Sequence, residues 1–238
     1  MIPGIYSALS GLKTNTDRMA VAANNIANME TPGFQASQVV PQSLPNNQGA
    51  VTAAIRRVID PGAPLYTGNP MDAAIEGGGY FSVQTPDGRA AYTRQGSFGK
   101  DGQGRLTDAT GNVLNPQIKI PPDATSVSIG RDGVVSATQN GQQVSLGQVQ
   151  VANFANPAGL LSAGGGLFLE TAQSGPLVKG APGSAANGFL SPGSLEGSNV
   201  DLATEIVNTI IARQGYSANA KMVQTSSEMA GSLLNIKT

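Results

Sequence analysis

The sequence predicts an α+β protein in which N- and C-terminal helices pair as a coiled-coil-like bundle and a central antiparallel β-rich domain lies between them. At both ends of the chain, apolar or small residues recur at alternating steps of four and three, the spacing of one helix face. The middle is instead cut by dense turn signals into short strand-like runs. The two helical ends are each too apolar on one face to stand alone in water, and they meet only if the termini come together.

Taken in order, the N-terminal stripe runs Ile5, Leu9, Leu12, Thr16, Met19, Ala23 and Ile26. Thr31-Pro32-Gly33 should stop it, because proline disfavours helix at the preceding residue and glycine accommodates the turn. This makes 1–33 an N-terminal assembly helix. Residues 34–70, with Pro41, Pro45, Pro61, Pro64 and Pro70, are expected to form an extended connector. The β-rich domain spans 71–190. Its strand-like runs (80–85, 91–98, 127–129, 134–138 and 144–154) are separated by Pro86-Asp87-Gly88, Asp101-Gly102, Thr110-Gly111-Asn112, Arg131-Asp132-Gly133 and Asn140-Gly141. Asp-Gly and Asn-Gly between such runs are hairpin signals, and the spacing suggests a small sandwich or barrel.

Residues 191–238 hold a return segment and a long C-terminal assembly helix. Ser198-Asn199-Val200-Asp201 reads as the helix start, a hydroxyl followed three residues later by a carboxylate. One stripe then runs through Leu202, Ile206, Ile210, Tyr216, Ala220, Val223, Ala230 and Leu234. A second runs through Val207, Ile211, Ala218, Met222, Met229, Leu233 and Ile236. Gly215 inside this helix costs about 1 kcal/mol relative to Ala. A helix with two adjacent apolar faces wants more than one neighbour. Leftover stripes therefore imply partner chains, and a head-to-tail contact that does not close builds a helical filament.

Composition removes most catalytic classes. The 238 residues include no Cys and no His. Disulfides, thiolate zinc sites, Ser-His-Asp triads and imidazole bases are therefore excluded. Charged residues make up 12%, against about 25% in typical globular chains. Net charge is −1 and no Lys/Arg cluster occurs, which argues against nucleic acid. No apolar run reaches the roughly 20 residues of a spanning helix, and the first residues lack the pattern of a cleaved signal. No cofactor, metal or catalytic residue is expected.

The remaining candidate chemistry is weak. Asp72 and Glu76 could form a carboxylate pair of the glycosidase kind, but a solvated strand edge accounts for them as well. Asp101-Gly102-Gln103-Gly104-Arg105 has an arginine where a calcium ligand is needed, so a turn is expected. Gly77-Gly78-Gly79 and Gly164-Gly165-Gly166 lack the Lys-Ser/Thr of a phosphate loop. Asn24, Asn25 and Asn28 are poor helix material. They either mark a fraying helix end or bond to a neighbouring helix and set its register.

The residues at both ends also carry a resemblance. Ala8-Leu9-Ser10-Gly11-Leu12, Ala23-Asn24-Asn25-Ile26-Ala27-Asn28 and Thr31-Pro32-Gly33-Phe34 resemble the N-terminal signature of bacterial flagellar rod and hook proteins. Leu195-Glu196-Gly197-Ser198-Asn199-Val200-Asp201 through Ile211-Ala212-Arg213-Gln214-Gly215-Tyr216 resembles the C-terminal signature. The middle adds the segments 72–81, 92–98 and 129–136, so the resemblance covers nearly the whole chain. It is closest to the distal-rod branch. The stretch from Phe34 to Met71 is shorter than that branch usually has, which keeps a proximal-rod role as the alternative and leaves a hook-type role behind both.

The resemblance implies a structural subunit that assembles helically with copies of itself and contacts other rod subunits and the hook protein. It further implies export by the flagellar type III apparatus without signal cleavage, and a place in the basal body spanning the periplasm. The surrounding ring proteins are a further candidate partner. The expected assembly interface comprises Leu9, Leu12, Met19, Asn24, Asn25, Ile26 and Asn28 on the first helix. On the last it comprises Leu202, Ile206, Ile210, Tyr216, Met222, Val223, Met229, Leu233 and Leu234. An enzyme acting on peptidoglycan and a monomeric binding module are the rival readings. The first needs convergent carboxylates, and the second needs both apolar helices buried internally.

Overall fold

The computed structural model describes residues 2–45, 48–184 and 187–235, with side chains described from residue 4 to residue 232. The chain divides into two compact units, one of residues 1–29, 36–58 and 200–238, the other of 30–35 and 59–199.

The first unit contains helix α1 (Ile2–Ala27), strands β1 (Ser37–Ser43) and β2 (Ala50–Arg57), and helix α2 (Leu202–Asn235). The two terminal helices pack together, as expected. The segment expected as an extended connector holds an antiparallel hairpin, with Ser37 opposite Arg57 and Ser43 opposite Ala50. Its register slips between Val40 and Pro41, where proline cannot donate to the ladder. The start of α2 also differs from expectation. Asp201, not Ser198, is the cap: its carboxylate accepts the Thr204 N–H at 2.9 Å, satisfying a donor that the first helical turn leaves free.

In the second unit every strand pairing is antiparallel, and one 3-10 turn lies at Pro157–Gly159. Its strands are β3 (Pro64–Tyr66), β4 (Ala73–Glu76), β5 (Tyr80–Gln84), β6 (Ala90–Thr93), β7 (Phe98–Lys100), β8 (Leu106–Asp108) and β9 (Val113–Leu114). They continue with β10 (Ser126–Ile129), β11 (Val134–Gln139), β12 (Gln142–Gln148), β13 (Val151–Phe154), β14 (Leu161–Gly164), β15 (Leu167–Leu169), β16 (Leu177–Gly180), β17 (Phe189–Pro192) and β18 (Ser194–Glu196). Seven of these run in the order β14-β15-β6-β5-β9-β8-β7. β13 joins that sheet through β5 and carries β16 on its other edge. β10, β11 and β12 form a meander, β17 pairs β4, and β18 pairs β3.

The hairpins fall on the turn signals. Asn140 (φ 51°) and Gly141 (φ 77°) form the two-residue turn between Gln139 and Gln142, where both positions need positive φ. Two expected runs are each divided. The run 91–98 breaks between β6 and β7 because Arg94 turns inward and the Gly96 backbone lies against the Ala73 carbonyl. The run 144–154 breaks between β12 and β13. One core cluster gathers Phe81, Val83, Leu106, Leu114, Val149, Val151 and Leu190, all at most 1% exposed. A second is aromatic, with Tyr92 and Phe154 edge-to-face at 4.8 Å and Tyr80 edge-to-face with Phe168 at 5.7 Å.

One ion pair ties distant segments of this unit. Arg94 Nε meets Glu196 Oε2 at 2.7 Å with both side chains almost wholly buried. Arg94 also donates to the Gly77 and Gly79 carbonyls, and Glu196 accepts the Gly62 N–H at 3.1 Å. Burial pushes the Glu196 carboxyl up, against the pull of the Arg94 guanidinium and the Gly62 N–H. Arg94→Met should cost about 3–5 kcal/mol in urea unfolding, since it strands a buried carboxylate. The folded-state pKa of Glu196 lies above its unfolded value. Its contribution to stability is therefore complete below the unfolded pKa and declines as pH rises through the folded one. Glu196→Gln removes that titration, so the natural chain's stability relative to this variant should fall as the pH of the unfolding experiment is raised.

Candidate assembly interface

The packing of α1 on α2 is made of small and polar residues. Asn15 lies over Gly215, and Asn219 lies over Gly11: a Cβ on either glycine would stand 2.9 and 2.6 Å from the facing asparagine side chain. Each asparagine also donates back to the carbonyl four residues earlier in its own helix, Asn15 to Gly11 and Asn219 to Gly215. The two helices therefore run antiparallel through a reciprocal Gly-x-x-x-Asn contact. Gly215 has a reason beyond tolerance, which is close approach of the partner helix. Around this contact Ala8, Ala22, Ala212 and Ser226 are buried.

Asn25 extends the same register. It is fully buried and donates to Glu205 Oε1 at 2.9 Å and to the Ser37 carbonyl at 2.8 Å, while its own oxygen accepts the Ser37 N–H. Of the three asparagines, this one bonds to the neighbouring helix and to the start of β1. Asn24 is exposed, and Asn28 donates to the Asn24 carbonyl within the helix end.

A polar stripe on α1 holds the hairpin. The Ala50 N–H donates to Ser10 Oγ, Thr14 Oγ1 donates to the Ala50 carbonyl at 3.1 Å, and Thr52 Oγ1 donates to Asp17 Oδ2 at 2.7 Å. Ser10, Thr14 and Asp17 follow helical spacing, a signal present in the sequence but masked by the apolar stripe beside it.

Because the helix pair is closed by small residues, the large apolar side chains of α2 face outward. Leu202, Ile206, Ile210, Tyr216, Met222 and Met229 are 40–58% exposed, as are Val207 and Ile211 from the second stripe. On α1, Leu9 is 54% exposed and Tyr6 60%. Leu12, Met19, Ile26 and Asn28, with Val223 on α2, are half-buried. Leu233 and Leu234 lie outside the residues whose side chains are described.

The weaker chemical candidates resolve into structure. The Asp72 carboxylate accepts from Thr67 Oγ1 and Asn69 Nδ2 and is 4% exposed, whereas Glu76 is exposed. The Asp101 carboxylate takes the N–H groups of Gln103 and Arg105 and the Arg105 guanidinium, closing a turn. Among the described residues no cluster of acidic side chains could hold a metal, and no helix is long and apolar enough to cross a membrane.

Three family models match the chain. Residues 5–35 match the flagella basal body rod protein model, and 74–137 match the D1 domain of the flagellar hook protein FlgE/F/G. Residues 191–236 match the C-terminal model of the flagellar basal body rod FlgEFG proteins. The flagellar basal-body rod protein FlgG of Buchnera aphidicola from Schizaphis graminum is 38% identical, with 96% of this chain and 97% of that one covered. The protein of the same name from Bacillus subtilis is 37% identical over the full length of both. That alignment spans 264 positions, more than this chain's 238 residues, so the relative has residues without a counterpart here. The flagellar hook protein FlgE of Helicobacter pylori is 42% identical across 48% of this chain, but only 16% of that protein is covered.

Asn25→Ala would leave the Ser37 backbone groups and Glu205 without their partner. It should lower the stability of the helical unit by about 1–3 kcal/mol. Asn24→Ala, one residue away and exposed, should stay within about 0.5 kcal/mol. Thermal melting followed by helical circular dichroism separates the two.

Proposed function

The chain belongs to the flagellar basal-body rod family, and we propose that it is a structural subunit of the distal rod that assembles helically with copies of itself. The observation that carries this reading is the outward apolar face of α2. A helix that meets its own partner through Gly215, Ala212 and Asn219 keeps Ile206, Ile210, Met222 and their neighbours available for other chains. Exposed apolar residues in contiguous helical stripes mark an interaction surface. In the assembled rod these faces complete a coiled-coil-like bundle between subunits, with Leu9, Leu202, Ile206, Ile210, Tyr216, Met222 and Met229 as its exposed contributors.

The neighbouring rod subunits and the hook protein are its further partners, and the ring proteins around the rod are candidates for its outer contacts. Export through the flagellar type III apparatus without cleavage, followed by assembly across the periplasm, completes the reading. The family is a structural one, and the function is shape and contact rather than catalysis. Low charge suits this role, because a like charge placed at an interface would recur with every copy.

Ile210→Glu and Met222→Glu test the reading. Both positions are more than half exposed, so monomer stability should change by no more than about 0.5 kcal/mol. Assembly into rods should be lost, leaving cells non-motile and basal bodies without a distal rod in electron micrographs. Normal rods built from either variant would count against the reading.

A further inference from the structure

Among the described residues, Lys13 is the only exposed charged side chain of α1, and Glu228 is the only exposed carboxylate of α2. Neither makes an ion pair among the described residues. The other acids of the two helices are engaged, Asp17 by Thr52 and Glu205 by Asn25. Within one chain Lys13 and Glu228 cannot meet. The contacts of Gly11 with Asn219, Asn15 with Gly215 and Asn25 with Glu205 set one antiparallel register, which places Lys13 level with Ser217. Glu228 lies about 16 Å further along the helix at 1.5 Å per residue.

Lys13 also stands at an open groove of about 480 Å³ between α1 and the hairpin, where Tyr6, Leu9 and Leu44 supply the apolar wall. Below the groove, the exposed face of α1 narrows to Thr16, Ala20 and Ala23. On α2, Met229 follows Glu228 directly and Met222 lies two turns earlier, both about half exposed. If Glu228 is set against Lys13 with the helices antiparallel, Met229 comes level with the groove and Met222 with the small residues.

Resting on the rod reading, we propose that α2 of a second copy occupies this face, with Glu228 paired to Lys13, Met229 seated in the groove and Met222 over Thr16 and Ala20. The two surfaces are different parts of the chain, so the contact is heterologous and leaves one of each free on the outermost copies. Neighbouring copies that share an orientation are then offset along the helices by the same distance of about 16 Å. The ion pair selects the register, and burial of the methionines supplies the attraction.

The chain has no cysteine, so engineered pairs report without background. A full-length chain carrying Lys13→Cys and Glu228→Cys is produced in a flagellated strain lacking the natural copy. Motile cells whose oxidised rods give a ladder of disulfide-linked multimers, with only monomer from either single variant, are the expected result. Motile cells without a ladder would overturn the register, as would a dimer from Lys13→Cys alone, which marks a like-to-like contact. If the double cysteine chain does not support motility, exchange of the charges decides. Lys13→Glu and Glu228→Lys should each lower motility several-fold, and the two together should restore it. No restoration would overturn the pairing. Failure of the natural chain to restore motility in the same strain would count against the rod reading itself.

Discussion

The closeness of α1 to α2 is the constraint on which the helical unit depends. Two glycines, each facing an asparagine of the other helix, allow the backbones to approach, and that approach is incompatible with large side chains at the seam. Leu202, Ile206, Ile210, Ile211, Met222 and Met229 of α2 are consequently displaced to the outside. Each is worth about 1.5–3 kcal/mol if fully buried, so several per copy provide a substantial attraction between chains. Part of that gain is offset by the cost of ordering and docking, which is why a repeating contact with defined register matters more than area alone.

Polar bonding supplies specificity where apolar burial does not. Asn25 is bonded at once to α2 and to β1, so the helix register and the position of the hairpin are set by one side chain. Ser10, Thr14 and Asp17 continue the attachment along the hairpin. In the β unit the corresponding element is the Arg94–Glu196 pair. It joins the Gly77–Gly79 loop, the segment near Gly62 and the last strand through a single buried contact. Both units thus use a few buried polar groups, hydrogen-bonded or ion-paired across distant segments, to select one arrangement among several that apolar packing alone would permit.

Much of this was legible in the residues. The four-and-three spacing located both helices, and Asn140-Gly141 and the Asp-Gly pairs located the hairpins, because these signals are local. Direction was not legible. A stripe at helical spacing says that a face will be covered but not by what: the excess of apolar face on the last helix pointed to other chains, but not to which of its stripes would meet them. The seam itself was hidden, since Gly11, Asn15, Gly215 and Asn219 are each poor helix formers and gain meaning only in reciprocal contact. The hairpin of residues 37–57 was obscured by Pro41 and Pro45. The break at Arg94 depended on Glu196, a hundred residues away, which no local pattern reports. Asp201 was within the recognised start signal, yet the capping hydroxyl of Ser198 was the more familiar motif.

Methionine oxidation tests most directly whether the outer face of α2 is reserved for other copies. Met222 and Met229 are about half exposed in the isolated chain, and Met19 is half-buried against the helix pair. Brief peroxide treatment followed by mass spectrometry of free subunits and of isolated rods gives a rate for each residue in each state. Met222 and Met229 should react at least about tenfold more slowly in rods than in free subunits, a change equivalent to about 1.4 kcal/mol of protection. Equal rates in the two states would contradict burial of this face between copies, since the apolar face of α2 would then remain open to solvent after assembly.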